Sequence, residues 1–253
     1  MKIIKIALIC TVFSVVPGLS AAQDNAVSPD QRKAFEGVIR DYLLKNPAII
    51  REAMQALQQR EEEEKQAKAT RALKEYSGEL YHDASSPVGG NPKGDVTIVE
   101  FFDYNCGYCK RVVPTVAAVL RNDPNVRVVY KEFAILGPQS VAAARAALAA
   151  KRQGKYHEFH VALMSAERAD ENSVAATARA LGLDYAQLVK DMGDPAIEEQ
   201  LERNYRLATA IGINGTPAFV IGDRLVPGAV DEAAMMEIIA TERAKMKAAP
   251  KGN

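Results

Sequence analysis

The segment from Val96 to Arg111 constrains the fold of this chain more than any other part of it. It reads VTIVEFFDYNCGYCKR, so an apolar run rich in β-branched and aromatic residues ends at Asp103 and two cysteines follow. Such a run predicts a buried strand, and the pattern after Cys106 predicts a helix. The partial positive charge of a helix N-terminus favours a thiolate over a thiol. The segment therefore predicts a reactive dithiol, Cys106 and Cys109, at the junction of a strand and a helix.

The first 22 residues have the pattern of an export signal. Lys2 and Lys5 precede a short apolar core, and the small residues SAA at 20–22 suit a cleavage site. The apolar core is shorter than the segment needed to span a bilayer. We therefore expect residues 1–22 to be removed and the mature protein to be periplasmic. The alternative is an uncleaved N-terminal membrane anchor.

Loss of this signal would remove Cys10 and leave Cys106 and Cys109 as the cysteines of the mature chain. A disulfide across two intervening residues closes too small a loop to stabilise a fold by much. A structural zinc site needs about four ligands, and among the histidines only His157 and His160 are close in sequence. We interpret these two as packing or surface residues. The sequence thus predicts a redox pair, without a metal site or a cofactor.

The charge of the chain argues against one class of partner. It contains 32 Lys and Arg residues and 32 Asp and Glu residues, and its formal net charge is zero. No stripe of basic residues indicates a nucleic-acid surface. We therefore expect no nucleic-acid partner.

Helical signals begin soon after the predicted export signal. Ser28 as N-cap, Pro29 in the first turn and Gln31 as capping-box partner predict a helix start. Asn46-Pro47 predicts the end of this helix. Two apolar stripes recur at helical spacing, one at Phe35, Val38, Ile39, Tyr42 and Leu43 and one at Ile50, Ala53, Met54 and Leu57. Residues 58–74, in contrast, are mostly charged.

Two short amphipathic helices cannot bury their stripes well against each other. A helix that is polar for several turns usually bridges domains or stands in solvent. We therefore predict that residues 23–84 form a helical oligomerisation arm, whose stripe is covered by another copy of the chain. The alternative is a helical hairpin folded onto its own catalytic domain. Residues 85–94, rich in Ser, Pro and Gly, predict a linker.

Residues 95–248 combine strand and helix signals in an order typical of an α/β domain. Strands are predicted at 96–102, 126–133, 218–221 and 225–226, the last two joined by the turn Gly222-Asp223-Arg224. Helices are predicted at 107–121, at 140–152, 156–164, 173–181 and 185–190, at 194–211 and from near 231. This order, βαβ followed by helices and then ββα, predicts a thioredoxin fold with an inserted helical block at about 137–192.

A proline at the start of the predicted third strand is a second feature of chemical interest. Proline removes a ladder hydrogen bond from an interior strand, so Pro217 needs a reason to be there. A cis Thr216–Pro217 bond is one reason, because X-Pro bonds tolerate the cis form. The upstream Cys-x-x-Cys makes this interpretation preferable to an ordinary trans proline in a loop.

With these motifs, the chain resembles the DsbA-like branch of the thioredoxin superfamily over about residues 95–247. The matching residues are Glu100, Phe101, Phe102, Cys106-Gly107-Tyr108-Cys109, Pro114 and Thr216-Pro217. The arm, mainly through the sequence FEGVIRDYLLKNP, is similar to that of the trimeric ScsC-type periplasmic disulfide isomerases. The combination of motifs is specific, whereas Cys-x-x-Cys alone would not be.

This resemblance implies a role for each matching residue. Cys106 would be the nucleophile and Cys109 the resolving thiol, while Gly107 and Tyr108 would shape the loop and tune the thiolate. Glu100, if it is buried, would accept the proton of Cys109; the alternative is a half-exposed strand glutamate. Thr216 and Pro217 would face the dithiol and offer backbone groups to an extended substrate segment.

The resemblance also implies a direction for the reaction. Gly-Tyr between the cysteines and Thr before the proline are similar to isomerase-type relatives, and several sites around one cavity would help an isomerase. We therefore expect a disulfide isomerase or reductase, as a homotrimer. It would act on unfolded or misoxidised exported proteins, with a membrane thiol reductase as electron donor. The alternatives are a DsbA-like dithiol oxidase and, from another class, a holdase or a copper-binding periplasmic module.

Overall fold

The computed structural model describes residues 28–248, and the predicted export signal and Cys10 lie outside this range. The chain divides into two compact units, Met1–Gln59 and Arg60–Asn253. The helices are α1 (Pro29–Lys45), α2 (Ala48–Glu75), α3 (Ser77–Tyr81), α4 (Gly107–Asn122), α5 (Pro138–Arg152), α6 (Tyr156–Ser165), α7 (Glu171–Ala180), α8 (Tyr185–Met192), α9 (Pro195–Ala210) and α10 (Glu232–Ala248). The strands are β1 (Val88–Gly90), β2 (Val96–Phe102), β3 (Val126–Glu132), β4 (Ala218–Ile221) and β5 (Arg224–Pro227).

In the first unit, α1 begins as the sequence predicts. The Ser28 hydroxyl accepts a hydrogen bond from the Gln31 backbone N–H at 3.3 Å, and the Gln31 side chain accepts one from the Ser28 N–H at 3.0 Å. This reciprocal pair satisfies two N–H groups that a helix start otherwise leaves free. None of the residues of α1 is buried. More than half of each of these side chains is exposed: Phe35, Val38, Ile39, Tyr42, Leu44, Met54 and Leu57.

The second unit is built on a five-stranded sheet in the order β1-β3-β2-β4-β5. Strand β2 runs parallel to β3 and antiparallel to β4, and β1 and β5 are antiparallel edge strands. In the register of the central pair, Glu100 lies beside Tyr130 and Phe102 beside Glu132. The arrangement confirms the predicted thioredoxin fold. Helices α5 to α8 fall in the range expected for the inserted block.

Side chains alternate between the two faces of this sheet, and each face has its own core. We call the side that carries α4 the front face, where Ile98, Phe102 and Tyr130 pack with Cys109 and Val116. The other side is the back face. There Val99, Phe101 and Val129 pack with the end of α2, with α3 and with α9 through Leu73, Leu80 and Leu207.

Two boundaries of the second unit differ from the sequence expectation. The predicted linker 85–94 contains β1, which pairs with β3, and the predicted arm 23–84 includes Leu73 and Leu80, which are buried in the back-face core. Glycines here serve close packing instead of flexibility: a Cβ on Gly90, at φ +67°, would lie 2.6 Å from the Val126 carbonyl oxygen. The Ser-, Pro- and Gly-rich stretch at 85–94 therefore contains a tightly packed edge strand. Its composition alone does not distinguish such a strand from a linker.

Between residues 28 and 248, no helix combines the length and the apolar character needed to cross a membrane.

Candidate active site

Cys106 lies between the end of β2 and the first residue of α4, on the side of the sheet that we call the front face. It is the N-cap of α4, and its Sγ atom accepts a hydrogen bond from the Cys109 backbone N–H at 3.4 Å. The sulfur therefore sits at the positive end of the helix, where negative charge is favoured. Its own N–H donates to the Asp103 carbonyl at 3.1 Å, which fixes the turn.

Cys109 occupies the first turn of the same helix and is fully buried, whereas Cys106 keeps 6% of its surface exposed. Burial raises the pKa of the Cys109 thiol well above its usual range, because a thiolate loses its hydration there. Both cysteines are present as free thiols. The two cysteines thus differ in burial: Cys106 keeps a small exposed fraction at the helix start, and Cys109 has none.

The Thr216–Pro217 peptide bond is cis, as predicted from the sequence. It immediately precedes β4, the neighbour of β2, and this brings the segment to the same end of the sheet as the dithiol. Cys106 Sγ donates to the Thr216 carbonyl oxygen at 3.2 Å. Two segments 110 residues apart in sequence are therefore in contact at the sulfur.

Glu100 points to the front face of β2 and is only 2% exposed, so the half-exposed alternative is wrong. Burial raises its pKa to about 8, because no countercharge replaces the lost hydration. Glu100 is one of the residues that line a cavity of about 290 Å³ beside α4. A carboxyl of this kind can accept and release a proton near neutral pH.

One side of this cavity is the stripe of α4 that begins at Cys109. Val113, Val116, Ala117 and Leu120 line it, at spacings of four, seven, eight and eleven residues from Cys109. Residues at these spacings share one face of a helix. Cys109 therefore lies on the helix face that borders the cavity lined by Glu100.

Gly107 and Tyr108 occupy the first turn of α4 between the cysteines, and both are exposed. The Tyr108 ring, 61% exposed, lies 4.1 Å from the Arg111 guanidinium carbon in a cation–π contact. Gly107 has an ordinary helical conformation and room for a Cβ, so nothing in the structure requires glycine at this position.

The turn that carries Cys106 is held by two residues that sequence reasoning missed. The Asp103 carboxylate accepts hydrogen bonds from Asn105, Ser140, Ile135 and Leu136, at 2.7 to 2.9 Å. The Asn105 side chain exchanges two further bonds with the backbone of Ala169. These contacts tie the turn to the inserted helices. The only sequence signal was a short polar stretch between strand and helix.

A buried polar cluster near the turn was also missed. Glu132, at the end of β3, accepts hydrogen bonds from Tyr104 at 3.1 Å and Tyr156 at 2.8 Å. The Tyr104 hydroxyl lies 3.2 Å from His160 Nδ1, and burial lowers the pKa of His160 to about 3, so the imidazole is neutral. His160 thus has the packing role that was expected, while His157 is exposed. The signal available in sequence was the charged pair Lys131-Glu132 within an apolar strand.

No group of three or more Cys, His, Asp or Glu side chains with metal-site geometry occurs in the described part of the chain.

Residues 97–240 match the family of DSBA-like thioredoxin domains. The chain belongs to this family. Residues 31–64 of the DSBA-like chain also match the N-terminal domain of the copper resistance protein ScsC. The helical region that precedes the thioredoxin fold is therefore of the ScsC type, and the protein is a thioredoxin-like oxidoreductase of the DsbA and ScsC group.

Solved structures of similar proteins cover most of this chain. A thioredoxin-like oxidoreductase from Silicibacter pomeroyi is 48% identical, over 66% of this chain and 97% of that one, with a TM-score of 0.65. ScsC from Proteus mirabilis, in a transitional conformation, is 32% identical over 86% of this chain and 99% of its own, also with a TM-score of 0.65.

Two kinds of curated protein are more distantly similar. The thiol:disulfide interchange protein DsbA of Bordetella parapertussis is 26% identical over 165 residues, 63% of this chain and 78% of that protein. The Na⁺/H⁺ antiporter NhaA of Herminiimonas arsenicoxydans is 28% identical over 160 residues. The chain spans about a quarter of the length of the antiporters that it matches.

Proposed function

We propose that this DSBA-like protein is an exported thiol–disulfide oxidoreductase that acts on protein disulfides, mainly as an isomerase or reductase. One observation carries the proposal. Cys106 Sγ lies at the N-cap of α4 and 3.2 Å from the Thr216 carbonyl, with Cys109 buried behind it. An attacking thiol with some access and a shielded second thiol are what a two-step exchange requires.

In the first step, the Cys106 thiolate attacks one sulfur of a substrate disulfide. A bond forms between Cys106 and that sulfur, the substrate S–S bond breaks, and the other substrate sulfur leaves as a thiolate. The helix N-terminus stabilises the attacking charge. The backbone of Thr216, beside Pro217, would hold the substrate segment in an extended conformation next to the sulfur.

In the second step, Cys109 resolves the mixed disulfide. Its proton passes to Glu100, the Cys109 thiolate attacks Cys106 Sγ, and the second substrate sulfur leaves. The protein gains a Cys106–Cys109 disulfide and the substrate gains the two electrons. In isomerisation, the freed substrate thiolate attacks another disulfide of the same substrate and releases a different substrate thiolate. That thiolate attacks the substrate sulfur of the mixed disulfide, so a new substrate disulfide forms and Cys106 leaves as a thiolate without net electron transfer.

The arm supports the isomerase direction. The exposed apolar stripe of α1 would be covered by other copies of the chain, most simply in a homotrimer that surrounds a misfolded client with several dithiols. The clients would be unfolded or misoxidised exported proteins in the periplasm. A membrane thiol reductase would keep the dithiol reduced.

The test uses scrambled, fully oxidised ribonuclease as substrate for the full mature chain. We expect recovery of native ribonuclease with the reduced protein, and none with the Cys106→Ala/Cys109→Ala double variant. An Ile39→Glu variant should sediment as a smaller species and lose isomerase activity, while it still reduces a small disulfide. Recovery of ribonuclease by the double variant would refute a dithiol mechanism, and suppression of aggregation alone by that variant would indicate an additional holdase function.

A dithiol oxidase is the second candidate, favoured by the similarity to thiol:disulfide interchange protein DsbA. The two directions separate when reduced ribonuclease is mixed with the oxidised protein. Rapid disulfide formation, with no correction of the scrambled substrate, would replace the isomerase proposal with the oxidase.

A further inference from the structure

A second buried acid lies on the same face of the sheet as Glu100. Glu132 is 1% exposed, and one of its carboxyl oxygens, Oε2, is buried without a hydrogen-bond partner. In the register of β2 and β3, Glu100 pairs with Tyr130, two residues before Glu132. Given the spacing of strands and the rise per residue, the Cα atoms of the two acids are roughly 8 Å apart.

The groups that face these acids supply no compensating positive charge within the buried region. Around Glu132 they are Tyr104 and Asp103 from the turn before α4, Tyr156 and His160 from α6, and Asn204 of α9, whose amide donates to the Glu132 backbone carbonyl at 3.1 Å. Around Glu100 they are Tyr130, His160 and, at the cavity rim, the exposed His157 and Arg121. His160 lines the cavity beside Glu100 and lies 3.2 Å from the Tyr104 hydroxyl that binds Glu132, and it is neutral.

Two carboxylates in one poorly hydrated region cannot both ionise freely, since each charge opposes the other. Burial is the main cause of the raised pKa of both acids, and charge on Glu100 raises the pKa of Glu132 further. Since the repulsion between two charges is mutual, an ionised Glu132 also opposes ionisation of Glu100. The pair therefore binds and releases protons as a coupled unit. The hydrogen bonds from Tyr104 and Tyr156 fix the position of Glu132 while this happens.

We propose that Glu132 is a positioning residue for proton transfer, which sets how tightly Glu100 holds the proton that Cys109 releases. The proposal rests on the proposed function, in which Glu100 is the acceptor of this proton. When Glu132 is ionised, Glu100 is a stronger base and removes the Cys109 proton more readily. When Glu132 is neutral, Glu100 ionises at lower pH but is a weaker base.

The experiment follows the reaction of the reduced full mature chain with Ellman's reagent by stopped flow. Attack by Cys106 releases one thionitrobenzoate, and resolution by Cys109 releases a second, so the second phase isolates the resolving step. We measure its rate from pH 5 to pH 10. The Glu132→Gln variant keeps a hydrogen-bond acceptor for both tyrosines. In this variant we expect the midpoint of the pH profile of the second-phase rate to move to lower pH by about one unit, and the rate at the high-pH plateau to be lower.

Tyr156→Phe provides a milder test that keeps the core packed. It removes a hydrogen bond that favours ionised Glu132, so the midpoint should move in the same direction by a smaller amount. A lower plateau or melting temperature with an unchanged midpoint in both variants would overturn the proposal, because a purely structural role predicts that result.

Glu100→Gln separates this proposal from the function on which it rests. We expect this variant to lose the pH dependence of the second phase while the first phase is retained. An unchanged second phase in Glu100→Gln would remove Glu100 as the acceptor, and with it the role of Glu132. Failure of either thionitrobenzoate to appear in the parent chain would instead refute the dithiol function itself.

Discussion

The two faces of strand β3 treat buried charge in opposite ways. On the back face, Lys131 is 1% exposed and its ammonium group contacts the Asp83 carboxylate at 2.9 Å. On the front face, the adjacent Glu132 is equally buried, but its carboxylate accepts hydrogen bonds from two tyrosine hydroxyls, one of which also contacts a neutral histidine. The back face balances its charge, which secures the fold. The front face leaves its acids without a cation, so that they hold protons near neutral pH.

This difference extends to the segments that each face receives. The residues before β1 lead from the back face and are fixed by hydrogen bonds: Ser85 and Ser86 donate to Asp83, and Gln200 of α9 donates to the Ser85 carbonyl. Lys151, at the end of the inserted helix α5, donates to the same carbonyl. The front face receives α4 with the dithiol and the inserted helices. A change on the back face should therefore alter stability, and a change on the front face should alter chemistry.

The largest expected effect is on the front face, at the dithiol. Cys106→Ser should reduce exchange with insulin by at least about 1,000-fold, because the attacking thiolate is lost. Cys109→Ser is the matched control: it should still attack but accumulate a covalent mixed disulfide, which intact-protein mass spectrometry detects. Retention of turnover by Cys106→Ser would show that the chemistry lies elsewhere.

The next effect is on the back face. Asp83→Ala leaves the Lys131 ammonium buried without its ion partner, and it should lower the free energy of unfolding by about 2–3 kcal/mol, measured by urea denaturation. The double variant Asp83→Ala/Lys131→Met should recover most of this loss, because the isolated charge is gone. A double variant no more stable than Asp83→Ala would contradict the ion pair between Asp83 and Lys131. If folded Asp83→Ala lost dithiol activity, the two faces would not have the separate roles described above.

A smaller effect distinguishes the faces by pH. Burial raises the folded-state pKa of Glu100 and Glu132 to about 8, above the unfolded value of about 4.3, so the stability they confer is complete below pH 4.3 and is lost as pH rises through 8. The hydrogen bonds and charge of its neighbours lower the pKa of Asp83 against the effect of burial. Its contribution is therefore present above about pH 3.9 and is lost as pH falls further.

We accordingly expect Glu100→Gln to be more stable than the parent chain as pH rises from 6 to 8. The difference between their free energies of unfolding should grow by about 1 kcal/mol per pH unit. Denaturant titrations at each pH provide the measurement. Glu237→Gln, at an exposed glutamate of α10, is the control and should follow the parent. A parent chain whose stability is constant between pH 6 and pH 8 would be inconsistent with buried acids on the front face.

The smallest effect concerns the exposed rim of the site. Arg111→Leu removes the cation–π contact with Tyr108. It should lower the free energy of unfolding by about 0.5 kcal/mol or less, measured as a slight fall in melting temperature. Tyr108→Leu should cost a similar amount, and the double variant no more than either single variant. Additive losses would mean that the two side chains do not interact.

Local signals in the sequence were sufficient for the elements around the site. The β-branched run predicted β2 at residues 96–102, Cys106 was expected to begin a helix, and Thr216–Pro217 was predicted to be cis; each matches the structure. These features depend on neighbouring residues: side-chain periodicity, capping and turn chemistry. The same signals misassigned Val88–Gly90, because glycine at a tight edge strand has the composition of a linker.

What the sequence determined by itself was therefore the thioredoxin core and the presence of a dithiol at a helix start. Only the tertiary structure decided that Glu100 is buried, that Lys131 finds Asp83, and that Glu132 is joined by Tyr156. These partners lie 24 to 48 residues apart in the chain, on elements brought together by the sheet. The charge of a buried group depends on such distant neighbours and on the water they exclude, and neither can be read from the residues beside it.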